Sequence, residues 1–199
     1  MTRRIVLATR NPKKLVELRR VVQAAGVDVE ILGLGDFPPQ PEPAETEKTF
    51  EGNAFIKATA AATHTGLEAI ADDSGVAVDE LNGMPGVRSA RWAGPACDDD
   101  ANLELLVAQL DGVPADRRGA QFICALAHVT PGGKRRVFRG EMPGHIATGP
   151  RGANGFGYDP VFVPDGHDQT TAEMAAEDKD AISHRGQAVR AFVEWLKEG

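Results

Sequence analysis

The sequence lacks the features of secreted, membrane-spanning and nucleic-acid-binding proteins. Its two cysteines, Cys97 and Cys124, are too few for a disulfide framework, which fits a reducing cytosol. The first apolar run, Ile5 to Ala8, is too short for a signal peptide or a membrane span. A net charge of −7 argues against general nucleic-acid binding. We therefore expect a cytoplasmic protein, in which an anionic ligand would need locally concentrated positive charge or a metal ion.

The composition is that of an ordinary globular protein. Of its 199 residues, 42% are hydrophobic and 26% charged, which is enough apolar material for a sizeable core. No repeat, low-complexity segment or clear linker divides the chain, so we expect a single domain over residues 1–199.

Apolar periodicity predicts alternating strands and helices, which indicates an α/β fold with a mixed sheet. The predicted strands are residues 5–8, 29–34, 69–78, 122–129, 136–139 and 161–163. The predicted helices are residues 12–25, 50–65, 98–110 and 187–197. Within residues 69–78 we expect a strand, an acidic turn and a second strand.

The most informative segment is Ala69 to Val76, where an apolar strand gives way to two carboxylates, a hydroxyl and a glycine. Neighbouring side chains of a strand point to opposite faces, so Asp72 and Asp73 cannot both face the core. At the end of a strand, one could enter a cleft while the other supports the loop. Ionised carboxylates in such a place need an ion pair, hydrogen bonds or a cation. A plain Asp-rich turn, with Gly75 in a special backbone conformation, is an equally good interpretation of this segment alone.

Residues 9–14, Thr-Arg-Asn-Pro-Lys-Lys, join the first strand to the first helix and suit an anion. Asn11 is a natural N-cap and Pro12 a natural first helical residue. Lys13 and Lys14 oppose the helix dipole unless a phosphate lies between them and the helix end. We favour phosphate binding over two solvated lysines, although the P-loop pattern is absent.

Asn53 and Lys57 share one face of the predicted helix 50–65 because they are four residues apart. Alone, this spacing is typical of a surface pair.

The segment 152–160 places glycines at alternate positions around Phe156 and Tyr158. A flat ring beside free backbone N–H groups suits a nucleobase. A flexible loop is the alternative, although two aromatic residues are unusual in a solvated loop.

Residues 179–186 bring Lys179, His184 and Arg185 together near the last helix. A guanidinium group offers a planar set of donors that recognises phosphate or carbonyl oxygen. A lone histidine is usually structural, but this combination favours a binding site.

Together these segments resemble the Ham1/RdgB-like inosine triphosphate pyrophosphatase family over essentially the whole chain. The motifs that carry the resemblance are Leu7-Ala8-Thr9-x-Asn11-x-x-Lys14, Thr49-Phe50-x-x-Asn53-Ala54-x-x-Lys57-Ala58, Ala71-Asp72-Asp73-Ser74-Gly75, Gly83-x-Pro85-Gly86-Val87-x-Ser89-Ala90-Arg91, Gly155-Phe156-Gly157-Tyr158-Asp159-Pro160 and Lys179-x-Ala181-Ile182-Ser183-His184-Arg185-Gly186. The resemblance implies an elongated, two-lobed α/β fold with a long mixed sheet flanked by helices, an active site in the cleft and a homodimer. It implies Mg²⁺-dependent hydrolysis of non-canonical purine nucleoside triphosphates (ITP, dITP and XTP) to the monophosphate and pyrophosphate.

The resemblance also implies roles for individual residues. Asp73 would be the general base and a magnesium ligand, with Glu45 as a second acidic group near the metal and Asp72 in support. Phosphates would lie against residues 9–14, the base and sugar against residues 156–159, and the 6-oxo edge of the purine against His184 and Arg185. The implied substrate-binding residues are Thr9, Arg10, Asn11, Pro12, Lys13, Lys14, Asn53, Lys57, Ser74, Phe156, Gly157, Tyr158, Asp159, Lys179, His184 and Arg185.

Two positions depart from the family pattern. The family commonly has Gly where this chain has Glu47, and often Glu where this chain has Gly52. The missing carboxylate leaves the metal ligands beyond Asp73 open, and Glu47 or Glu51 could compensate.

Two other functions are alternatives. A haloacid-dehalogenase-type phosphatase also begins from a carboxylate at a strand end, but it needs a second Asp two residues later, where this chain has Ser74 or Gly75. A non-catalytic purine nucleotide sensor would keep the base and phosphate contacts without needing Asp73.

Overall fold

The computed structural model describes residues 2–198, with the backbone alone for Lys13. Its strands are β1 (Arg3–Leu7), β2 (Val29–Gly33), β3 (Glu68–Val78), β4 (Met84–Pro85), β5 (Gly119–Val129), β6 (Arg135–Ile146) and β7 (Phe162–Pro164). Its α-helices are α1 (Pro12–Ala24), α2 (Phe50–Thr65), α3 (Asp99–Gln109), α4 (Ala176–Ile182) and α5 (His184–Glu198). Within residues 2–198, no helix has both the length and the apolarity that a bilayer span requires.

The strands form one mixed sheet in the order β2-β1-β3-β5-β6-β7, with β4 paired to β3. β1 runs parallel to both β2 and β3, whereas β3–β4 and β6–β7 are antiparallel pairs. The predicted α/β class with a mixed sheet is therefore confirmed.

The chain divides into two compact units. The first comprises Met1–Asp73, Ala125–Arg139 and Ala188–Gly199, and the second Ser74–Cys124 and Gly140–Gln187. β3, β5 and β6 each contribute residues to both units. That the whole chain acts as one domain stays a prediction.

In the first unit, α2 begins and ends where the sequence predicts because both ends carry local signals. Thr49 caps the helix, its Oγ1 accepting from the backbone N–H of Gly52 at 3.1 Å. Gly66 ends it in the left-handed conformation, with φ of 68°. The buried face of α2 is formed largely by alanines, which let the helix axis approach its neighbours closely: Ala54, Ala58, Ala61 and Ala62.

The second unit has its own hydrophobic core. Leu103 and Leu106 of α3 belong to the same cluster as Phe122 of β5 and Phe162 of β7. Phe122 and Phe162 lie with ring centroids 4.5 Å apart. The buried Arg118 donates from its guanidinium to the backbone oxygens of Leu110, Ile146 and Ala147 at 2.7–2.8 Å, which satisfies a charge that would otherwise be costly to bury.

The predicted acidic turn within residues 69–78 is wrong, because β3 continues without interruption through Asp72 and Asp73. Gly75 is not one of the glycines with a positive φ, so its role is not to provide a special backbone conformation. β1 pairs with β3 at residues 68–70 and β4 pairs with it at residues 77–78, so neighbours at both ends hold the strand. Between those pairings the carboxylates are ion-paired, and they can therefore remain in a strand.

The short strand β4 was not predicted, and the other large differences lie toward the carboxyl end of the chain. β5 and β6 are longer than predicted, and α4 was not predicted. The last helix begins at His184 rather than residue 187, since Ser183 Oγ accepts from the backbone N–H of Gly186 at 3.0 Å and supports an earlier first turn.

Candidate active site

A pocket of about 180 Å³ lies in the first unit beside the amino end of α1. Its lining includes the side chains of Lys14, Lys57 and Asp72 and the loop residues Thr9 and Arg10. Two ammonium groups beside the start of a helix favour an anion, as expected for phosphate.

The loop before α1 is open to solvent. Arg10, Asn11 and Pro12 are exposed, and the backbone N–H of Asn11 donates to Thr9 Oγ1 at 3.2 Å. Arg10 lies 3.4 Å from a carboxylate oxygen of Glu42. Pro12 is the first helical residue, as predicted. The side chain of Lys13 lies outside the described part of the chain.

Asp72 holds Lys14 at this pocket. Lys14 Nζ donates to both carboxylate oxygens of Asp72, at 2.7 and 2.9 Å. The Asp72 side chain is 8% exposed, so this contact is only weakly screened by water. Because an ammonium group has three donors, Lys14 keeps capacity for a phosphate oxygen while it remains on Asp72.

Asp73 points to the opposite face of β3 and meets Lys57 of α2. Lys57 Nζ donates to Asp73 Oδ1 at 3.0 Å and to Glu45 Oε1 at 2.9 Å. Burial raises the pKa of Asp73 above its usual value, and the neighbouring Lys57 reduces this shift without cancelling it. Burial would lower the pKa of Lys57, but the charges and hydrogen bonds of Asp73 and Glu45 outweigh it and raise that pKa.

Asn53 holds the carboxylate of Asp73 through a hydrogen bond. It is fully buried, with Nδ2 donating to Asp73 Oδ2 at 3.3 Å and Oδ1 accepting from the backbone N–H of Glu47 at 3.0 Å. Both ends of the amide are therefore used inside the protein. This geometry makes Asn53 a positioning group for Asp73, and its direct contact with substrate stays a prediction.

The carboxylates of Asp73 and Glu45 both approach one ammonium group, which marks a place where a cation is favourable. Mg²⁺ commonly takes one or two carboxylates from the protein and completes its shell with water and substrate phosphates. Among residues 2–198, no group of three or more His, Cys, Asp and Glu side chains could hold a metal. The pair Asp73 and Glu45 thus fits Mg²⁺ only as a site that the substrate completes.

The two departures from the family pattern are linked by packing. A Cβ on Gly52 would lie 2.5 Å from Glu47 Cβ and 2.7 Å from Glu47 Cγ, closer than real side chains approach. Residue 52 can therefore carry a side chain without a shift of the neighbouring segment only if residue 47 is glycine. Glu51 is ion-paired with Arg139, and the compensation by Glu47 or Glu51 stays a prediction.

We expect Gly52→Ala to lower the stability of the protein, although an Ala in a helix normally raises it. The new methyl group must displace the segment that carries Glu47 and Glu45, at a cost of about 1–3 kcal/mol in the free energy of unfolding. Urea unfolding measures the change. Gly52→Ala combined with Glu47→Gly should regain most of it, and a single variant as stable as the wild type would contradict the packing argument.

The second unit carries the other predicted residues, around Asp159. The carboxylate of Asp159 accepts from Lys179 Nζ at 2.5 Å, from the backbone N–H of Phe156 at 2.8 Å and from Thr171 Oγ1 at 2.9 Å. Its side chain is 5% exposed. Asp159 therefore organises the loop and orients Lys179, whose Nζ lies 5.6 Å from the centre of the Phe156 ring.

The aromatic residues of this loop have opposite environments. Phe156 is 65% exposed, which leaves its ring open to a flat ligand, whereas Tyr158 is buried and its hydroxyl donates to the backbone oxygen of Ser89 at 2.8 Å. Burial, with a smaller contribution from Asp99, raises the pKa of Tyr158 far above its usual value, so the hydroxyl stays a donor.

The free N–H groups expected around these rings are not free at two positions. The N–H of Phe156 is bonded to Asp159, and that of Gly157 donates to Asp99 Oδ2 at 3.2 Å. The glycines of this loop shape a tight backbone: Gly155 and Gly157 have φ of 79° and 60°.

His184 and Arg185 lie in the first turn of α5, and both are half-buried. The imidazole of His184 stacks on Phe122 with ring centroids 4.9 Å apart and planes 9° apart, so the core fixes its orientation. Ser74, the first residue of the second unit, is half-buried in β3 directly after Asp73.

Sequence reasoning missed four residues that support these side chains: Ser89, Asp99, Phe122 and Thr171. Ser89 belongs to the motif Gly83-x-Pro85-Gly86-Val87-x-Ser89-Ala90-Arg91, to which no role had been assigned. Asp99 fell within the predicted helix 98–110 and was given no role at the site. Phe122 and Thr171 carry no local signal, because their contacts join segments far apart in the chain.

Comparison with known proteins identifies the family. The family model of the Ham1 family matches residues 5–195. The chain belongs to the Ham1 family.

Its Ham1 relatives match it over nearly their whole length. A dITP/XTP pyrophosphatase of Frankia alni is 57% identical over 200 residues, covering 98% of both chains. One of Nocardia farcinica is 58% identical over 194 residues, covering 97% of this chain and 94% of the relative.

Solved structures share the fold. The crystal structure of a nucleoside-triphosphatase, also named a dITP/XTP pyrophosphatase, from Mycobacterium abscessus has a TM-score of 0.83 at 54% identity, covering 95% of this chain and 98% of that one. A HAM1 protein from Coxiella burnetii has a TM-score of 0.93 at 38% identity, covering 99% and 100%.

Proposed function

We propose that this protein is a Mg²⁺-dependent nucleoside triphosphate pyrophosphatase that hydrolyses ITP, dITP and XTP to the monophosphate and pyrophosphate. The observation that carries the proposal is the approach of Asp73 and Glu45 to Lys57 Nζ, in a unit whose pocket also presents Lys14. The relatives named dITP/XTP pyrophosphatase, 57% and 58% identical over almost the full chain, support this substrate class.

The first task of the residues is to neutralise the triphosphate. Lys14 and Lys57 supply two ammonium groups at one pocket, and the dipole at the amino end of α1 adds partial positive charge. Asp72 keeps Lys14 in place, so little side-chain freedom is lost when a phosphate binds.

The second task is to activate and place water. Asp73 accepts a proton from the attacking water, and its raised pKa makes it a better base than an exposed carboxylate. Asp73 and Glu45 would hold Mg²⁺, which when bound supplies positive charge for the phosphates and acidity for water. Asn53 and Lys57 fix the direction of the Asp73 carboxylate.

The bond that breaks follows from the leaving group. Water oxygen bonds to the α-phosphorus, and the bond from that phosphorus to the oxygen shared with the β-phosphorus breaks. Pyrophosphate leaves with that oxygen, and the proton of the water remains on Asp73. Placement and electrostatics supply most of the rate enhancement in such reactions.

A nucleotide panel with magnesium tests the proposal when pyrophosphate and orthophosphate are assayed separately. ITP should give the monophosphate and pyrophosphate, and chelation of magnesium should abolish turnover. Orthophosphate with a diphosphate product would contradict the proposal, and binding without turnover would identify a nucleotide sensor instead.

The same proposal includes a cytoplasmic homodimer. Its support is the family resemblance and the two cysteines outside any disulfide, which fit a reducing compartment. Light scattering after size exclusion should give twice the chain mass of 21.2 kDa.

A further inference from the structure

Three segments of the second unit meet at Ser89, which is 6% exposed. Its Oγ accepts from the backbone N–H of Val76 in β3 at 2.9 Å and donates to the backbone oxygen of Gly86 at 2.7 Å. Its own backbone oxygen accepts from the hydroxyl of Tyr158 at 2.8 Å. One residue therefore connects β3, the turn Gly86–Arg91 and the loop that carries Phe156.

The contact between β3 and this turn leaves no spare space. A Cβ on Gly75 would lie 2.4 Å from Ser89 Oγ and 2.6 Å from the backbone oxygen of Gly86. Gly75 is thus required for close approach of two backbones, and a shift of the turn would be transmitted to β3 directly.

On the other side, the loop that carries Phe156 has little freedom of its own. Asp159 binds the backbone N–H of Phe156, and Asp99 binds that of Gly157. The ring of Tyr158 lies in the core cluster together with Val76 and Phe122. We expect a loop fixed in this way to move as one piece. The hydrogen bond from the Tyr158 hydroxyl to the backbone oxygen of Ser89 joins this loop to the turn.

We propose that Ser89 and Tyr158 are positioning residues that set the placement of the Phe156 ring relative to Ser74, and thereby the selection of the nucleobase. This inference rests on the proposed function, and on the implied contacts of residues 156–159 with the base and sugar and of Ser74 with the substrate. Ser74 directly precedes Gly75, the residue of β3 that lies against Ser89. The hydrogen bonds of Ser89 therefore hold this part of β3 and the loop that carries Phe156 in a fixed relative position. Selection by hydrogen bonds needs placement to within a fraction of an ångström.

Tyr158→Phe is the sharpest test, since it removes one hydrogen bond and keeps the ring in the core. We expect kcat/KM for ITP to fall about 10-fold, mostly through KM, and the preference for ITP over ATP to narrow. With ribose 5′-triphosphate, which has no base, kcat/KM should stay within about twofold of the wild type. An equal loss with both substrates would overturn the proposal, because a merely structural bond affects them alike.

Two further variants separate this role from general destabilisation. Ser89→Ala removes the hydrogen bonds of Ser89 Oγ with Val76 and Gly86, and it should give the same pattern as Tyr158→Phe. Trp92→Phe removes a different aromatic donor bond in the same unit, from Nε1 to Gln109 Oε1 at 2.7 Å, and should leave the base preference unchanged. A narrowed preference in Trp92→Phe would count against the proposal.

Hydrogen exchange without nucleotide gives a readout that is independent of turnover. Tyr158→Phe should raise amide exchange of residues 154–159 several-fold while residues 12–24 stay as in the wild type. Unchanged exchange overturns the proposal, whatever the activity. A wild-type protein that releases no pyrophosphate from ITP would instead overturn the proposed function, and the two failures are thereby distinguishable.

Discussion

Asp73→Asn is expected to lower kcat for ITP by about 10²-fold or more, with a smaller change in KM. Asparagine has the shape of aspartate and its oxygen can still accept from Lys57, but its amide NH₂ would then face the Asn53 Nδ2 donor. It also loses the charge that binds a cation and accepts a proton. Lys14, the proposed phosphate-binding residue, is held by Asp72 and not by Asp73, so most of the substrate affinity should remain.

Steady-state kinetics with a coupled pyrophosphate assay measures the effect, and the matched control is Asp28→Asn. Asp28 is an exposed residue of the same unit, so its variant should turn over like the wild type. Near-normal turnover in Asp73→Asn would show that Asp73 only holds Lys57 in place. Circular dichroism and urea unfolding of each variant exclude loss of the fold as the cause.

The parts of the fold that the sequence predicted well are those with local signals. α2 was predicted at its observed bounds because Thr49 and Gly66 act within their own turns. α4 was missed because its N-cap residue, Ala175, offers no side-chain acceptor and the helix has only seven residues. Its formation depends on surroundings that local propensity does not encode.

The acidic turn wrongly predicted within β3 is likewise explained by contacts that are distant in the sequence. Two adjacent aspartates favour a turn when they are considered locally, but Lys14 is 58 residues away in the chain and Lys57 is 16 away. These lysines compensate the carboxylates and make a half-buried strand possible. The alternation rule itself was correct, since Asp72 and Asp73 meet different lysines on different helices.

The residue types at the site were likewise easier to predict than the contacts that those residues make with one another. Motifs identified the charged residues, but which of them contact one another depends on tertiary structure. Asn53 carries no sign of its burial in the sequence, and the pairing of Lys179 with Asp159 joins residues 20 apart. Both residues were assigned to the substrate from motifs, whereas the structure first shows what they do for their neighbours.

The largest effect on specificity is expected from the base. Hypoxanthine and xanthine present an acceptor at the 6 position, and adenine presents a donor. His184 and Arg185 carry donors, and the stacking of His184 on Phe122 restricts how far that ring can turn to adapt. Adenine would place donor against donor and leave a desolvated group without a partner, which can cost about 10⁴-fold in kcat/KM. We therefore expect a strong preference for ITP over ATP.

Arg185→Ala tests which residue reads the base, by comparing kcat/KM for ITP, GTP and ATP. If Arg185 donates to the 6-oxo oxygen, efficiency with ITP and with GTP, which shares that oxygen, should fall by similar factors of about 10². Efficiency with ATP should change much less, so the gap between ITP and ATP narrows. Arg190→Ala, an exposed position on the same helix, should leave all three values unchanged. An equal loss with ITP and ATP would make Arg185 a phosphate-binding residue, because both nucleotides carry the same triphosphate.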